Sequence, residues 1–429
     1  MGAKRLESFS FGAAAALVGT GLGALLTLVF QVTAAQHLSI TEFGEFAYAA
    51  TLLNIGGLIA PLGFHVTVVK YMARYRIADE VANAAALLRV ARQWTLAGGL
   101  AVAALITIKA LTGESASSMS TALLLACAVP FAALTRIETA RLRGKGHSTL
   151  SVFLEVPMRE GTAALLLLLV ILMGHADAPR TAACYAAAIV LGLAAAMSRH
   201  RSDPASPAPP AQQREWWSVA LSALVSTAAL QLLRRMDIVV VGSVSGYADA
   251  GVYAAATRLA DVIQLPLVAA TVMAAPQIAE LYSKNRITEL QRLVGKVGWF
   301  AFTLSCIGAL PLLLLPGQVL KLFGAEFAGG DSALRWLVLG QLFNALTSCA
   351  ALLLTMTGHE WRAAIITSCV GLASIGANWL LAVRYGMTGV AAGTCCSLIV
   401  WNLVLCVVGY RKTKVVALPM LRTRLLQAG

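Results

Sequence analysis

The sequence predicts an all-α polytopic membrane protein, with about 12 transmembrane helices in two six-helix bundles related by pseudo-two-fold symmetry. Of its 429 residues, 59% are hydrophobic and only 12% are charged, whereas a soluble protein carries about a quarter charged residues. Mean hydropathy is +0.76. So little charge cannot cover a water-facing surface. The composition therefore excludes most soluble enzymes and DNA-binding proteins, although the net charge is +13.

Twelve stretches are long and apolar enough to cross a bilayer core, which needs roughly 20 apolar residues. The first is longer than the roughly 7–15 apolar residues of a signal peptide, so we expect it to be retained as a helix. In the first half the stretches are Phe11–Ala35, Gly44–Phe64, Trp94–Leu111, Ser120–Ile137, Leu150–Met173 and Thr181–Met197. In the second half they are Trp217–Val244, Gly251–Ala275, Val297–Leu315, Ala333–Met356, Ala363–Val383 and Gly389–Tyr410.

The positions of lysine and arginine predict the orientation of these spans. With a cytoplasmic N-terminus, 24 of the 33 basic residues fall on the inside and four fall at membrane depth. Only five fall outside: Lys109, Arg180, Lys321, Arg335 and Arg384. Because cytoplasmic loops carry an excess of lysine and arginine, we expect both termini to be cytoplasmic. The expected location is the bacterial cytoplasmic (inner) membrane.

A proline-rich stretch separates the two predicted bundles. Four prolines fall within ten residues and are typical of a semi-rigid linker: Pro204, Pro207, Pro209 and Pro210. The predicted organisation is an N-terminal six-helix bundle over residues 1–201, a cytoplasmic linker over 202–215, and a C-terminal six-helix bundle with a basic cytoplasmic tail over 216–429.

The two halves also share a short internal repeat. Glu42-Phe-Gly44-Glu-Phe46-Ala47 opens the second span, and Asp249-Ala-Gly251-Val-Tyr253-Ala254 opens the eighth. An even number of spans in each half makes the repeats parallel. Two parallel bundles can enclose a central site that opens to either side of the membrane, so this arrangement is typical of a transporter.

Four stretches in order along the chain carry a resemblance to a known family. They are Leu38-Ser-Ile-Thr-Glu-Phe-Gly44-Glu-Phe-Ala-Tyr48; Leu62-Gly-Phe-His-Val-Thr-Val-Val-Lys70-Tyr71; Leu233-Arg-Arg235-Met-Asp237-Ile-Val-Val-Val-Gly242 with Ala250-Gly-Val-Tyr253-Ala-Ala-Ala-Thr-Arg258-Leu; and Gly358-His with Asn378-Trp-Leu-Leu and Tyr385-Gly-Met-Thr-Gly389-Val-Ala-Ala392. With them the chain resembles the polysaccharide transporter family, the Wzx-type lipid-linked oligosaccharide flippases of the multidrug/oligosaccharidyl-lipid/polysaccharide exporter (MOP) superfamily. Gln36, Ser39 and Lys70 depart from the usual Arg, Gly and Arg.

Eight ionisable residues fall at membrane depth, where charges are costly and mark functional sites. The resemblance implies a cargo linked to undecaprenyl pyrophosphate, and the planar guanidinium group binds phosphate oxygens in pairs. The candidate ligands of that diphosphate are Arg159, Arg234, Arg235 and Arg258. The candidates for ion coupling, to H⁺ or Na⁺, or for charge pairing are Glu155, Glu160, Asp237 and Asp261.

A structural interpretation of the same charges is that they form ion pairs, which neutralise each other and hold the helices together. Glu155 and Arg159 are spaced i, i+4, whereas Arg234 with Asp237 and Arg258 with Asp261 are spaced i, i+3. For Asp237 and Arg258 we favour pairing, because intramembrane charges usually pair. For Arg159, cargo contact and pairing stay open alternatives.

Two other functions compete with a flippase. A cation-coupled multidrug or metabolite antiporter of the same superfamily would need a cavity richer in acids than in bases. A membrane enzyme of glycan polymerisation would need a long outer loop, but the longest one, Pro316–Ser332, lacks a convincing acid/base constellation. We therefore expect no enzyme activity, metal or cofactor. The expected partners are the lipid-linked oligosaccharide, the bilayer, a coupling ion and the glycan polymerase machinery, with no nucleic acid and a monomeric working state.

Overall fold

The computed structural model describes residues 2–111, 116–198, 210–347 and 349–417, and within these ranges the chain is helical, with no strand. Contacts divide the chain into two compact units, Met1–Gln231 and Leu232–Gly429. The first eight helices are α1 (Gly2–His37), α2 (Ile40–Ile59), α3 (Phe64–Ala78), α4 (Val81–Ala110), α5 (Ala116–Gly144), α6 (Ser148–Glu155), α7 (Pro157–Leu172) and α8 (Ala178–Met197). Helix α5 is central to the first unit and packs against α2, α3, α4, α6 and α8.

The second half begins with the long helix α9. The helices are α9 (Pro210–Val244), α10 (Tyr247–Val262), α11 (Leu265–Ser283), α12 (Ile287–Leu314), α13 (Pro316–Leu320), the 3-10 helix Ala325–Gly330, α14 (Asp331–Leu346), α15 (Ala350–Met356) and α16 (Glu360–Thr413). Helix α14 packs against α10, α12 and α16. In the predicted outer loop, the chain forms α13 and the 3-10 helix.

Helices of the described chain carry the twelve predicted spans, some of which are interrupted by breaks, and Ser348 in the span Ala333–Met356 lies outside the described residues. Within the described ranges, eight helices are long and apolar enough to cross a membrane, and ten spans result when the bent pairs α2–α3 and α14–α15 each count as one. Helix α16 covers two predicted spans, which meet near Gly386, where φ is +57° and ψ is −148°. The α6–α7 pair covers one more.

Several predicted spans are broken rather than continuous, and the breaks occur at proline and glycine. The span Leu150–Met173 is interrupted at Val156, because a residue before proline disfavours helical geometry and Pro157 opens α7. The span Gly251–Ala275 is interrupted between α10 and α11, where proline occupies the first turn of α11. Helices α2 and α3 meet at an angle of 42°, with Gly63 in the left-handed region at φ +81°.

The predicted linker is partly helical. Residues 202–209 lie outside the described residues, but residues 210–215 are the first turns of α9 rather than linker. Proline is compatible with the first position of a helix, because its missing N–H has no partner there in any case. Within the described residues, α9 extends from Pro210.

The start of α9 packs firmly against α3 inside the first unit. Trp216 is fully buried, and its Nε1 donates to the Tyr75 hydroxyl oxygen at 3.0 Å. Gln212 Nε2 donates to the same oxygen at 2.9 Å, and the Tyr71 hydroxyl donates to Glu215 at 2.8 Å. Buried polar groups need such partners, so these contacts fix the first turns of α9.

Candidate functional site

A cavity of about 120 Å³ lies inside the N-terminal unit, where α2, α5 and α8 face the break between α6 and α7. Its apolar wall includes Leu53 and Ile189. Its polar wall contains the side chains of Asn54, Thr135, Arg136, Glu155 and Arg159. The broken helix thus places charged groups around a polar cavity, where irregular backbone is tolerated at membrane depth.

The sequence-predicted residue Arg159 lines this cavity and is paired with its neighbour Glu160. The guanidinium Nη2 of Arg159 lies 2.7 Å from Glu160 Oε1, and the Tyr185 hydroxyl donates to that oxygen at 3.0 Å. The guanidinium carbon also lies 5.4 Å from the centre of the Tyr185 ring. Glu160 is only 2% exposed, so its carboxylate is held in place by the two groups.

The predicted pairing of Glu155 with Arg159 is wrong. An i, i+4 contact requires one continuous helix, but the break at Val156 separates the two residues. Glu155 instead accepts from Arg136 Nη1 at 3.3 Å and from Arg143 Nη2. Both arginines lie on α5.

Arg136 and Tyr185 are site residues that the sequence reasoning missed. Arg136 is one of the 24 basic residues expected on the cytoplasmic side, but the structure places it in the cavity wall. Its position inside the predicted span Ser120–Ile137 was the signal that could have identified it. No comparable signal marks Tyr185, because an aromatic residue in an apolar span is ordinary.

A second cluster of charges lies in the C-terminal unit, next to the break between α10 and α11. Arg235 Nη2 lies 2.9 Å from Asp261 Oδ2, and Arg258 Nη1 lies 3.8 Å from the same oxygen. The predicted pairing of Arg258 with Asp261 is thus confirmed. Gln264, inside the break, donates to Asp261 at 3.1 Å and accepts from Arg234. Three arginines therefore surround one aspartate.

Asp237 does not pair with Arg234 as predicted. It is 4% exposed, and its carboxylate accepts from the Tyr253 hydroxyl at 2.9 Å and from the backbone N–H of Ile238 at 2.8 Å. The Tyr253 hydroxyl also lies 3.4 Å from that of Thr394. Arg234 points to Gln264 because the break in the neighbouring span offers it an amide oxygen.

The described residues hold no group of three or more histidines, cysteines or acids that could bind a metal ion. The eight cysteines are free thiols. The chemistry available to both clusters is therefore that of arginine, carboxylate, hydroxyl and amide groups, which can bind and release an anion or carry a proton.

Two family models match the chain. The model described as polysaccharide biosynthesis protein matches residues 11–282, and the model described as MatE matches residues 223–380. No curated protein matches the chain significantly.

Solved structures share the fold along almost the whole chain. An inward-facing multidrug resistance MATE family transporter of the MOP superfamily has a TM-score of 0.74 at 16% identity, covering 95% of this chain and 99% of its own. A MATE in complex with MaL6 has a TM-score of 0.65 at 16% identity and covers 94% and 95%. A MOP superfamily transporter from Pyrococcus furiosus, described as having a binding pocket of reverse polarity that suggests a different function, has a TM-score of 0.62 at 16% identity and covers 94% and 93%. At these identities the likeness concerns the fold, and it confirms the predicted fold class.

Proposed function

Because the chain belongs to the polysaccharide transporter family of the MOP superfamily, we propose that it flips an undecaprenyl-pyrophosphate-linked oligosaccharide or polysaccharide repeat unit from the cytoplasmic to the periplasmic leaflet by alternating access. The chain is a multi-pass membrane transporter. The observation that carries the proposed cargo is the arginine-lined cavity of the N-terminal unit, whose wall contains Arg136 and Arg159 but one carboxylate, Glu155, while Glu160, which is not part of the wall, binds Arg159.

A cationic cavity suits this cargo for an electrostatic reason. The diphosphate of the carrier loses its hydration when it enters the bilayer, and an isolated ion loses roughly tens of kcal/mol of solvation in a medium of low dielectric. Guanidinium groups replace the lost water with paired N–H donors. Arg234, Arg235 and Arg258 extend the same chemistry to the C-terminal unit, where Asp261 binds Arg235 and Arg258 and Gln264 binds Arg234.

Ion coupling needs a carboxylate that can exchange its cation or proton. Glu155, Glu160 and Asp261 each form an ion pair with arginine. Among the described ion pairs none involves Asp237, which is held by Tyr253 and a backbone N–H instead. These contacts favour Asp237 as the residue that couples transport to H⁺ or Na⁺. For Glu155, Glu160 and Asp261 they favour a role in charge pairing.

The proposed location and orientation of the transporter follow from the distribution of its charges. We place the chain in the bacterial inner membrane with both termini in the cytoplasm, on the distribution of its basic residues. Contact with the glycan polymerase machinery and a monomeric working state complete the proposal.

A cation-coupled multidrug or metabolite antiporter is the second candidate. The MatE match over residues 223–380 favours it. Cationic drugs need a site with an excess of acids, however, and the wall of the N-terminal cavity has an excess of arginine.

Alanine substitutions test the proposed cargo in a strain whose surface glycan depends on this transporter. We expect Arg136→Ala and Arg159→Ala to lower glycan export at least tenfold, because the diphosphate loses a charged hydrogen-bond partner worth about 1.5–3 kcal/mol. Arg234, Arg235 and Arg258 are tested in the same way. Arg74→Ala, at an exposed ion pair with Glu215, is the matched control. Normal export in all five cavity and cluster variants, at normal expression, contradicts the proposal.

A further inference from the structure

Glu155 occupies an unusual position among the charges of the N-terminal unit. It is the last residue of α6 and immediately precedes the break at Val156. Its side chain is 23% exposed and lines the cavity together with Arg136 and Arg159. The carboxylate can change position by rotation about its side-chain torsions, and the cavity beside it leaves space for this movement.

Each oxygen of this carboxylate binds a different arginine. Oε1 accepts from Arg136 Nη1 at 3.3 Å, and Oε2 accepts from Arg143 Nη2. The two arginines are seven residues apart on α5, so they lie on one face of that helix, two turns apart. An anion held between two guanidinium groups is also the arrangement in which a phosphate is bound.

Two buried carboxylates of the same unit, Glu160 and Glu138, are fixed by different surroundings. Glu160 is held by Tyr185 as well as by Arg159. Glu138 is 1% exposed and is bound by Arg92 and Arg141 on opposite oxygens, outside the cavity wall. Of these three carboxylates, Glu155 is the one that is both exposed to the cavity and placed at a helix end.

We propose that Glu155 is an exchangeable counter-ion, which pairs with Arg136 and Arg143 when the cavity lacks cargo and is displaced by the anionic diphosphate of the cargo. The inference rests on the proposed function and adds the residue that sets affinity and release. The two arginines bind Glu155 in the structure, and a guanidinium in the cavity wall, such as that of Arg136, is costly to leave without a counter-charge. The return of Glu155 to them therefore assists release of the diphosphate, and the competition keeps the cargo from binding too tightly to be turned over.

Binding to the purified full-length protein in phosphatidylcholine nanodiscs tests this role. The probe is farnesyl diphosphate, and farnesol is the uncharged reference. We expect Glu155→Gln to bind farnesyl diphosphate roughly tenfold more tightly or better, because removal of a competing charge from a close pair has effects of this size. Its affinity for farnesol stays the same. In transport, the same variant has a lower turnover rate together with a lower KM.

Two further variants make the result specific. Glu138→Gln removes a carboxylate held by two arginines outside the cavity, and we expect no gain in affinity. Should Glu155→Gln not give monodisperse protein, Glu155→Ala removes the same carboxylate and leaves both arginines in place, so the gain persists. A purely structural role for Glu155 predicts a loss of affinity rather than a gain.

The outcomes separate the two proposals. If the wild type binds farnesyl diphosphate more tightly than farnesol but the Glu155 variants bind it equally or more weakly, the counter-ion role is wrong and the proposed cargo stands. If neither the wild type nor the variants prefer the diphosphate over farnesol, the proposed cargo is wrong and the counter-ion role goes with it.

Discussion

The hydroxyl group of one residue, Tyr75, holds the start of α9 in the N-terminal unit. The Tyr75 oxygen accepts hydrogen bonds from both Gln212 and Trp216, and both Tyr75 and Trp216 are buried. The hydroxyl therefore satisfies two donors from one turn of α9. Its removal leaves both donors without their acceptor in an apolar environment.

Tyr75→Phe is consequently expected to destabilise the protein by about 1–3 kcal/mol, the cost of leaving a buried polar group unpaired. The measurement is the thermal unfolding temperature of the purified protein in detergent. Tyr385→Phe removes the same hydroxyl from a side chain that is 64% exposed and serves as the control. Equal unfolding temperatures for the two variants would show that the Tyr75 contacts contribute nothing.

Residue types at the site are more predictable from the sequence than their partners. Charge at membrane depth identified Arg159 and Glu160 in the cavity region and Arg235 and Asp261 in the second cluster. The pairing of Glu155 was predicted wrongly because helical spacing holds only within an unbroken helix. Arg136 was missed because it stands at the end of a span, where a basic residue also fits a topology signal.

At the scale of helices, the breaks within the predicted spans position the polar groups. The α6–α7 break brings Glu155 and Arg159 to one cavity, and the α10–α11 break brings Gln264 to Asp261. Pro157 and Gly386 are visible in the sequence, so the breaks themselves could be predicted from breakers inside apolar runs. The direction in which each half-helix continues depends on packing between helices. A local sequence pattern therefore does not predict that direction. The bends in the second and eighth spans agree with the internal repeat.

Gly63 provides a test of the bend between α2 and α3. It has φ +81°, and a Cβ atom there would lie 1.9 Å from the carbonyl oxygen of Ala220 on α9. Gly63→Ala should therefore lower the unfolding temperature and the yield of folded protein much more than backbone strain alone, which costs roughly 1–2 kcal/mol.

Gly174→Ala is the matched control for this substitution. Gly174 also has a positive φ, +73°, but a Cβ atom there would meet nothing within 4 Å. Both variants carry the strain of a left-handed residue, so the difference between their unfolding temperatures measures the steric contact with α9. A difference near zero would mean that α9 does not approach the bend closely.

For the whole molecule, the sign of the charge in the membrane favours the proposed anionic cargo over a cationic drug. The net charge of +13 resides mainly in the predicted cytoplasmic segments and reflects topology. The charges that bear on cargo are few and lie at the two helix breaks, where arginines outnumber carboxylates in each cluster. A fold shared with MATE transporters thus carries polar groups suited to an anion.

Transport by the reconstituted protein tests this central claim most directly. In vesicles, the transbilayer movement of an isoprenyl-diphosphate-linked disaccharide is compared with that of ethidium, a cationic drug, for the wild type and for an Arg136→Ala/Arg159→Ala double variant. We predict that the wild type moves the lipid-linked disaccharide and not ethidium, and that the double variant moves neither. Movement of ethidium by the wild type, with no movement of the lipid-linked disaccharide, would contradict the account.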